Sequence, residues 1–474
     1  MMHLNNPPLI HSDQQAIVAL CTPRGSGAIA LIRISGNNAL TVASSLARLS
    51  SARPLSEVQT HTIHHGFVID QRSQEQVDEV LFLVMKAPRT FTGEDTVEIT
   101  SHNNPFIIQR IIDLAVQCGA RAARPGEFTK RAFIHGKMDL VQAEALNDMI
   151  HAQTELALKQ SQAQLQGTLS RALAGVELQL VAVLGYVEAT FEFLDEEQRD
   201  LDFAAAIAKR INAIGEEISM LKQHFALQKQ VKQGVRVALV GSVNAGKSTL
   251  FNALVGSERA IVTDIPGTTR DSIEASVYKQ GAFWLFIDTA GMRQTADIVE
   301  QKGIERSQAA VQEADVVLVI IDAARVMNPQ EGEIYRQLLA AAGEKALVVF
   351  NKMDAVSLQP ALAFLEKIEE QAIFYISAKH ADGLQVLQSA VEERVQKLFA
   401  QAKSPYLLNQ RQFTLLTEMQ VDLEAIANTF GDGVHYELLA YHVKELLEKV
   451  SELTGKNVTE QVLDMVFGEF CVGK

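Results

Sequence analysis

The sequence predicts a multidomain chain of mixed class. An N-terminal α+β domain is followed by an all-α domain that is split by an inserted, Ras-like doubly wound α/β domain of the P-loop type. Three observations carry this expectation. Seven of the eleven prolines lie at or before Pro125, and none falls between Pro125 and Pro266. From Asp139 the proline-free text is rich in Ala, Leu, Gln and Glu, with apolar residues recurring at three and four, the period of a helix. From Gln233 that period gives way to solid apolar runs separated by helix-length segments, the pattern of a parallel sheet buried on both faces.

Residues 1–136 form the first predicted domain. Its short β-type runs are AIVAL, AIALIRIS, VLFLVM and TVEIT, and its helix FIIQRIIDLAVQCG ends at Gly119 as a C-cap would. Residues 137–232 form the first helical part, in which FAAAIAKRINAIGEEISMLKQHFALQKQV follows the acidic break DEEQRDLD. Residues 233–396 carry the strands VRVALVG, FWLFIDTAG, ADVVLVIID, KALVVFNKMD and AIFYISAK. Helical text returns over 397–474. Neither helical set offers much core alone, so the last helices are expected to pack on the earlier ones.

Composition bounds the function. A chain of 474 residues suggests units of ~150 residues each. Hydrophobic content of 47% with 21% charged residues is that of a soluble globular protein. The net charge of −14 means that any nucleic-acid contact uses a local patch rather than the global field. There is no unbroken apolar run of ~20 residues, so no membrane span is expected. The first residues lack a basic stretch followed by an apolar one, so no signal peptide is expected either. Cys21, Cys118 and Cys471 are too scattered for a disulfide framework or a CxxC metal site, which fits a reducing, cytoplasmic setting.

GSVNAGKST (Gly241 to Thr249) stands between the strand VRVALV and the helix-like LFNALVG. This is the G-x-x-x-x-G-K-S phosphate loop in its strand–loop–helix context. Backbone N–H groups around Asn244, Ala245 and Gly246 close on phosphates. Lys247 reaches the outer phosphates, Ser248 binds Mg²⁺, and Thr249 closes the set of GTP-binding residues in this loop. DTAG (Asp288, Thr289, Ala290, Gly291) closes a strand, where Asp288 holds Mg²⁺ through water and Gly291 approaches the γ-phosphate. NKMD supplies Asn351, Lys352 and Asp354, whose carboxylate takes the ring N–H and exocyclic amine of guanine together. SAK supplies Ser377, Ala378 and Lys379, with a backbone amide for the guanine oxygen. All lie at strand C-terminal ends, where open α/β sheets bind ligands. The ordered set predicts a GTPase domain.

Two details narrow its type. Met292 stands where Ras-like enzymes carry the water-orienting glutamine, so hydrolysis needs another element. TDIPGTTRD places Thr263, Asp264, Ile265, Pro266, Gly267, Thr268 and Thr269 in a switch loop, where Thr269 reaches Mg²⁺. The spare backbone of that loop suits a second cation, to which Asn244 offers a side-chain oxygen. Taken alone, Asn244 reads equally well as a loop-stabilising amide.

A helical domain split by a GTPase domain and closing on Cys-x-Gly-Lys resembles the MnmE (TrmE) family of tRNA-modification GTPases. LIRISG, FTGEDTVEI, ARPGEFTKRAF and KMDLVQAEALNDMI stand where that family has similar text, and FCVGK is its ending. The resemblance covers essentially the whole chain. It implies a homodimer whose N-terminal domains bind a 5-formyl-tetrahydrofolate-type one-carbon donor. It also implies a partnership with the FAD- and NADH-dependent MnmG protein, to install an aminomethyl-type group at C5 of the tRNA wobble uridine. Its matched positions put K⁺ on Asn244, Thr263, Ile265 and Thr268, a catalytic water-orienting role on Glu300, and the folate on Arg33, Glu98, Lys137 and Lys474. PRGSGAI (Pro23 to Ile29), SHNNP (Ser101 to Pro105) and EFLDEE depart from the family's usual text at those points.

The ending FCVGK does not suit prenylation, because Gly473 is not aliphatic and no polybasic stretch precedes it. If the last helix carries it to the folate site, Cys471 is a candidate nucleophile in one-carbon transfer. The alternative is a small hydrophobe in terminal packing. The competing function is a ribosome-assembly or general RNA-binding GTPase, whose basic RNA-binding module this sequence lacks.

Overall fold

The computed structural model describes residues 15–193, 201–223, 225–256, 273–279, 281–287, 300–327, 329–355, 372–401, 404–429 and 436–474. The chain divides into two units. One comprises Met1–Asn147, Gln164–Met220 and Thr414–Lys474, and the other Asp148–Ala163 with Leu221–Phe413. The α+β sheet and the helical bundle thus share a unit, while Asp148–Ala163 and the segment from Leu221 belong with the nucleotide sheet.

In the first unit, strands β1 (Ile17–Leu20), β2 (Ile29–Ser35), β3 (Ala47–Leu49), β4 (Thr62–Ile69), β5 (Gln76–Met85), β6 (Thr96–His102) and β7 (Arg121–Ala122) form one sheet. Its order is β3-β4-β5-β6-β2-β1-β7. Strands β1 and β7 are parallel and the other neighbours antiparallel. Alternation along each strand sends Ile32, Ile34, Phe82, Val97 and Ile99 into a core with helices Ala39–Leu46 and Pro105–Gln117. Arg33 and Glu98 have the opposite parity and stand directly across from each other on the other face. Helix Pro105–Gln117 begins with Pro after an Asn104 cap that accepts from Phe106 N–H, and Gly119 follows its end at φ +106°.

The text from Asp139 is helical as predicted, but in three pieces: Leu140–His151, Glu155–Leu165 and Thr168–Phe193. Gly167, at φ +85°, turns the chain before the last of them. Along Thr168–Phe193, Leu169, Leu173, Val176, Leu180, Val183 and Val187 are buried, at steps of four and three that make a narrow seam. Ile207, Ile211, Ile214 and Ile218 repeat the pattern on Leu201–Lys222, as do Leu439, Val443, Leu446, Val450 and Leu453 on Tyr436–Thr454. Thr168–Phe193 packs along Tyr436–Thr454, so the final helices do lie on the earlier ones. Lys456 donates to Glu177 at 2.8 and 2.6 Å beside that packing. Thr168–Ala189 is long and apolar enough to cross a membrane by length and composition alone, although Arg171 and Glu177 interrupt its apolar text. Its seam is occupied by the bundle.

In the second unit, β8 (Val235–Gly241), β9 (Ile273–Lys279), β10 (Ala282–Ile287), β11 (Val316–Asp322), β12 (Ala346–Asn351) and β13 (Ala372–Tyr375) take the order β13-β12-β11-β8-β10-β9. All pairs are parallel except β9 with β10, so the predicted parallel sheet gains one antiparallel edge. Alternate side chains feed two cores. Val237, Leu239, Leu318 and Val349 lie on one face, and Ala238, Val240, Val319 and Phe350 on the other. Both faces being covered explains why these strands read as continuous apolar runs.

Candidate nucleotide site and the anchored C-terminal tail

The phosphate-loop residues lie between β8 and the helix Lys247–Gly256, whose first turn holds Lys247, Ser248 and Thr249. A helix N-terminus presents free N–H groups and a positive dipole end, the arrangement that binds phosphate. The loop backbone is tightly specified. Asn244 sits at φ +64°, a left-handed conformation that Asn tolerates better than most residues. Gly246 is at φ +95°, and a Cβ there would collide with Asn351 Nδ2. Lys247 Nζ donates to the carbonyls of Gly241 at 2.9 Å and Ser242 at 2.8 Å, holding its ammonium over the loop.

The base-reading motifs converge on that loop. Asn351, 2% exposed at the end of β12, donates through Nδ2 to Ala245 O at 2.9 Å. Its Oδ1 accepts from Ala378 N–H at 3.0 Å. One side chain thereby joins three sequence motifs. Lys352 Nζ reaches Asp322 Oδ2 at 2.7 Å, at the end of β11. Ser377 Oγ donates to Asp354 Oδ1 at 2.6 Å, and this bond first of all holds the Asp354 carboxyl below its usual range. His380 lies 3.7 Å from the same carboxylate. Asn244, Ala245, Gly246, Lys247, Ser248, Asn351, Lys352, Asp354, Ser377 and Ala378 are thus organised at one end of the sheet, with Lys379 next in the chain. Residues Thr263 to Thr269 and Asp288 to Gly291 lie outside the described residues. Glu300 opens the helix Glu300–Glu313, and its side chain also lies outside what is described.

A second constellation belongs to the first unit. Arg33 Nε donates to Glu98 Oε1 at 2.8 Å across β2 and β6. The Arg33 guanidinium lies 5.6 Å from the Phe91 ring centre and 5.4 Å from that of Phe128. The tail comes to the same place. Gly473, buried at φ +97°, packs so closely on Leu20 that a Cβ would strike its carbonyl. Cys21 Sγ–H donates to Gly473 O at 3.2 Å. Gly126 N–H donates to Cys471 O at 3.3 Å, and Phe128 N–H donates to Lys474 O at 3.1 Å in the first turn of the helix Glu127–Ile134. The Lys474 main chain thereby meets Phe128, and Cys21 feels the charges of Arg33, Glu98 and Lys474 together. Lys137 reaches the same neighbourhood from another side, donating to Pro88 O and packing its Cε beside Gly93 on the loop that carries Phe91. The Cys471 side chain is exposed and in no disulfide.

Sequence reading passed over Cys21, Phe91, Phe128 and Asp322. Each is an ordinary strand-end, loop or helix residue in the text, and only its three-dimensional neighbours give it meaning. Burial, first of all, pushes the Cys21 thiol above its usual range, with Glu98 adding to the effect and Arg33 and Lys474 opposing it.

Two family descriptions match the chain: the N-terminus of the GTP-binding protein TrmE over residues 16–137, and the MnmE helical domain over residues 140–471. Similar proteins include the tRNA modification GTPase MnmE of Aquifex aeolicus, 37% identical over 462 residues, covering 97% of this chain and all of that one. The tRNA modification GTPase MnmE of Bacillus subtilis is 34% identical over 467 residues, covering 97% of this chain and 99% of that one.

Proposed function

The chain belongs to the MnmE family, and on that premise we propose that it is a GTP hydrolase acting in tRNA modification. The observation that carries the hydrolase reading is the Asn351 bridge between the phosphate loop and the Ala378 amide. In this reading, loop N–H groups and Lys247 hold the phosphates, and Asp354 takes the guanine edge. The ribosome-assembly alternative has no feature of its own among the described residues.

Ser248 and Thr269 would hold Mg²⁺, which would supply counter-charge to the phosphates of GTP. K⁺ would be held by Asn244, Thr263, Ile265 and Thr268, and would supply positive charge to offset the charge developing on the departing oxygen. Of these four residues Asn244, at φ +64° in the phosphate loop, lies among the described residues. Glu300 orients water in place of the glutamine that Met292 replaces.

A folate-type one-carbon donor fits the residues around Arg33. Glu98 offers an acceptor for the N–H edge of a pterin, and the Phe91 and Phe128 rings beside Arg33 suit a flat heteroaromatic ring. Lys137 and Lys474 supply cations for carboxylates. Cys471, exposed three residues before Lys474, is the candidate nucleophile. The protein acts as a cytoplasmic homodimer with an FAD-dependent partner, on C5 of the tRNA wobble uridine.

The test is GTP hydrolysis with K⁺ and then Na⁺ as the only monovalent cation, at equal ionic strength. A large K⁺-specific acceleration that is lost in Asn244→Ala is expected. Equal rates in both salts would remove the cation cage and leave an ordinary GTPase.

A further inference from the structure

Beside the contacts of Lys247 with its own loop's carbonyls, the phosphate loop is held by side chains from two other elements. Asn351 holds the middle of the loop at Ala245 O. The start of the loop is held by Tyr335, from the helix Pro329–Ala342. We propose that Tyr335 is a positioning residue for GTP binding, acting through the Ser242 main chain.

Tyr335 is 1% exposed, yet its hydroxyl is fully engaged. Ser242 N–H donates to Tyr335 Oη at 3.0 Å. Tyr335 O–H lies 2.8 Å from Ile320 O, in the neighbouring strand β11, and 3.1 Å from Ser242 Oγ. One hydroxyl has one proton. Given to Ile320 at the shorter distance, it leaves Ser242 O–H as donor in the second contact. Ser242 Oγ then accepts from Arg325 Nη2 at 3.1 Å, while Arg325 is held by both oxygens of Glu331 at 2.8 and 2.5 Å. Both hydroxyls and the Ser242 N–H thereby find partners, so the network around Tyr335 specifies one arrangement. Burial pushes the Tyr335 phenol above its usual range.

The position of this pin gives it a function. Gly241 packs on Ile320 so tightly that a Cβ would meet the Ile320 carbonyl. Tyr335 binds that same carbonyl and the next residue of the loop. The chain from Ser242 to Ala245 is thereby fixed at both ends while Asn244 between them is held left-handed. A loop already fixed in its bound shape loses less freedom when phosphate arrives, so the pin adds affinity that a Phe at 335 would not. Both the bound substrate and the transition state use the loop, so the effect falls on binding rather than on turnover.

The inference rests on the GTP-binding reading of the loop. The test uses the full chain: dissociation of a fluorescent GDP and steady-state GTP hydrolysis for wild type, Tyr335→Phe and Ser242→Ala. Tyr335→Phe is expected to raise the GDP Kd and the KM for GTP by about tenfold with kcat within about twofold, the pattern of lost uniform binding. Ser242→Ala keeps the main-chain donor and is expected to change affinity by less than about threefold. Tyr335→Phe binding GDP as wild type does, even with a lowered Tm, would reduce Tyr335 to a core residue and overturn the inference. If wild type itself binds no GDP, the GTP-binding reading fails first. Hydrogen exchange at the Ser242 amide of wild type supplies a check that needs no variant. Protection is expected, and free exchange would contradict the pin.

Discussion

The side-chain amide of Asn351 donates to the Ala245 carbonyl at 2.9 Å, tying the base-reading end of the nucleotide site to its phosphate end. Its other atom, Oδ1, is the acceptor for Ala378 N–H. Asn351→Ala leaves a buried carbonyl and a buried amide unsatisfied at once, each costing about 1–3 kcal/mol. The expected outcome is nucleotide affinity weaker by at least about 30-fold, read by fluorescent GDP titration. Asn351→Asp keeps only the acceptor and is expected to fall short of wild type as well. Wild-type affinity in both variants would show that the bridge is incidental.

Asp354 is set for guanine by Ser377. The hydrogen bond from Ser377 Oγ is the main reason its carboxyl titrates below the usual range. A depressed folded pKa means the carboxylate's contribution is present above the unfolded value of about 3.9 and is lost as pH falls through the folded value. GDP affinity is therefore expected to hold from pH 7 to pH 5 as far as this group is concerned. In Ser377→Ala the Asp354 carboxyl is expected to titrate higher than in wild type, by NMR of the labelled carboxyl carbon. An unchanged titration would move the cause elsewhere.

The helical seam can be weighed by one pair of substitutions on one helix. Leu180 is fully buried and Leu178, two residues earlier, is 71% exposed. Leu180→Ala is expected to cost about 2–5 kcal/mol in chemical denaturation, because the bundle closes only partly over the lost methyl groups. Leu178→Ala is expected to stay within about 0.5 kcal/mol. Equal losses would mean that the outward face of Thr168–Phe193 is covered in the assembled protein.

These contrasts show what the text of the chain made legible. The nucleotide strands announced themselves because both faces are buried, which leaves β11 apolar from Val316 to Ile321. Motif residues at their ends could then be placed by strand direction alone. The bundle seam was legible as steps of three and four. The partition of helices was not, since Glu155–Leu165 reads like its helical neighbours while its Glu155 N–H pairs with Gly281 O at 2.7 Å beside β10. Tyr335 was illegible for a related reason. A buried aromatic in an amphipathic helix looks like core, and only the positions of Ser242 and Ile320 reveal where its hydroxyl goes. Lys474 was reached through family resemblance, whereas its neighbour Cys21 had no signal in the text.

Thr154 joins the helical segment to the nucleotide sheet's own unit. Its Oγ1 donates to Val231 O at 2.6 Å and accepts from Ala157 N–H at 2.9 Å, capping the helix that follows. Thr154→Val keeps the shape and removes both bonds. A loss of about 1–3 kcal/mol is expected. Faster hydrogen exchange at Phe283, whose N–H donates to Gln153 O, should accompany it. Unchanged exchange there would separate the cap from the sheet edge.

Cys21 reports whether the tail is seated. Burial is the leading cause of its raised pKa, and its Sγ–H is 3.2 Å from the Gly473 carbonyl. With Cys118 and Cys471 replaced by Ser, Cys21 is expected to react with iodoacetamide more slowly than an unfolded-chain thiol. Deleting Gly473 and Lys474 uncovers it, and alkylation should accelerate several-fold. The pH dependence has a definite sign. A thiol whose folded pKa is raised contributes stability that is fully present below the unfolded value of about 8.5 and is lost as pH rises through the folded value. The stability difference between wild type and Cys21→Ala should therefore shrink on the alkaline side only, in denaturant melts from pH 7 to 10. Alkylation of intact protein at the unfolded rate would mean that the tail does not cover Cys21, and the placement of Lys474 among the charges that Cys21 feels would fall with it.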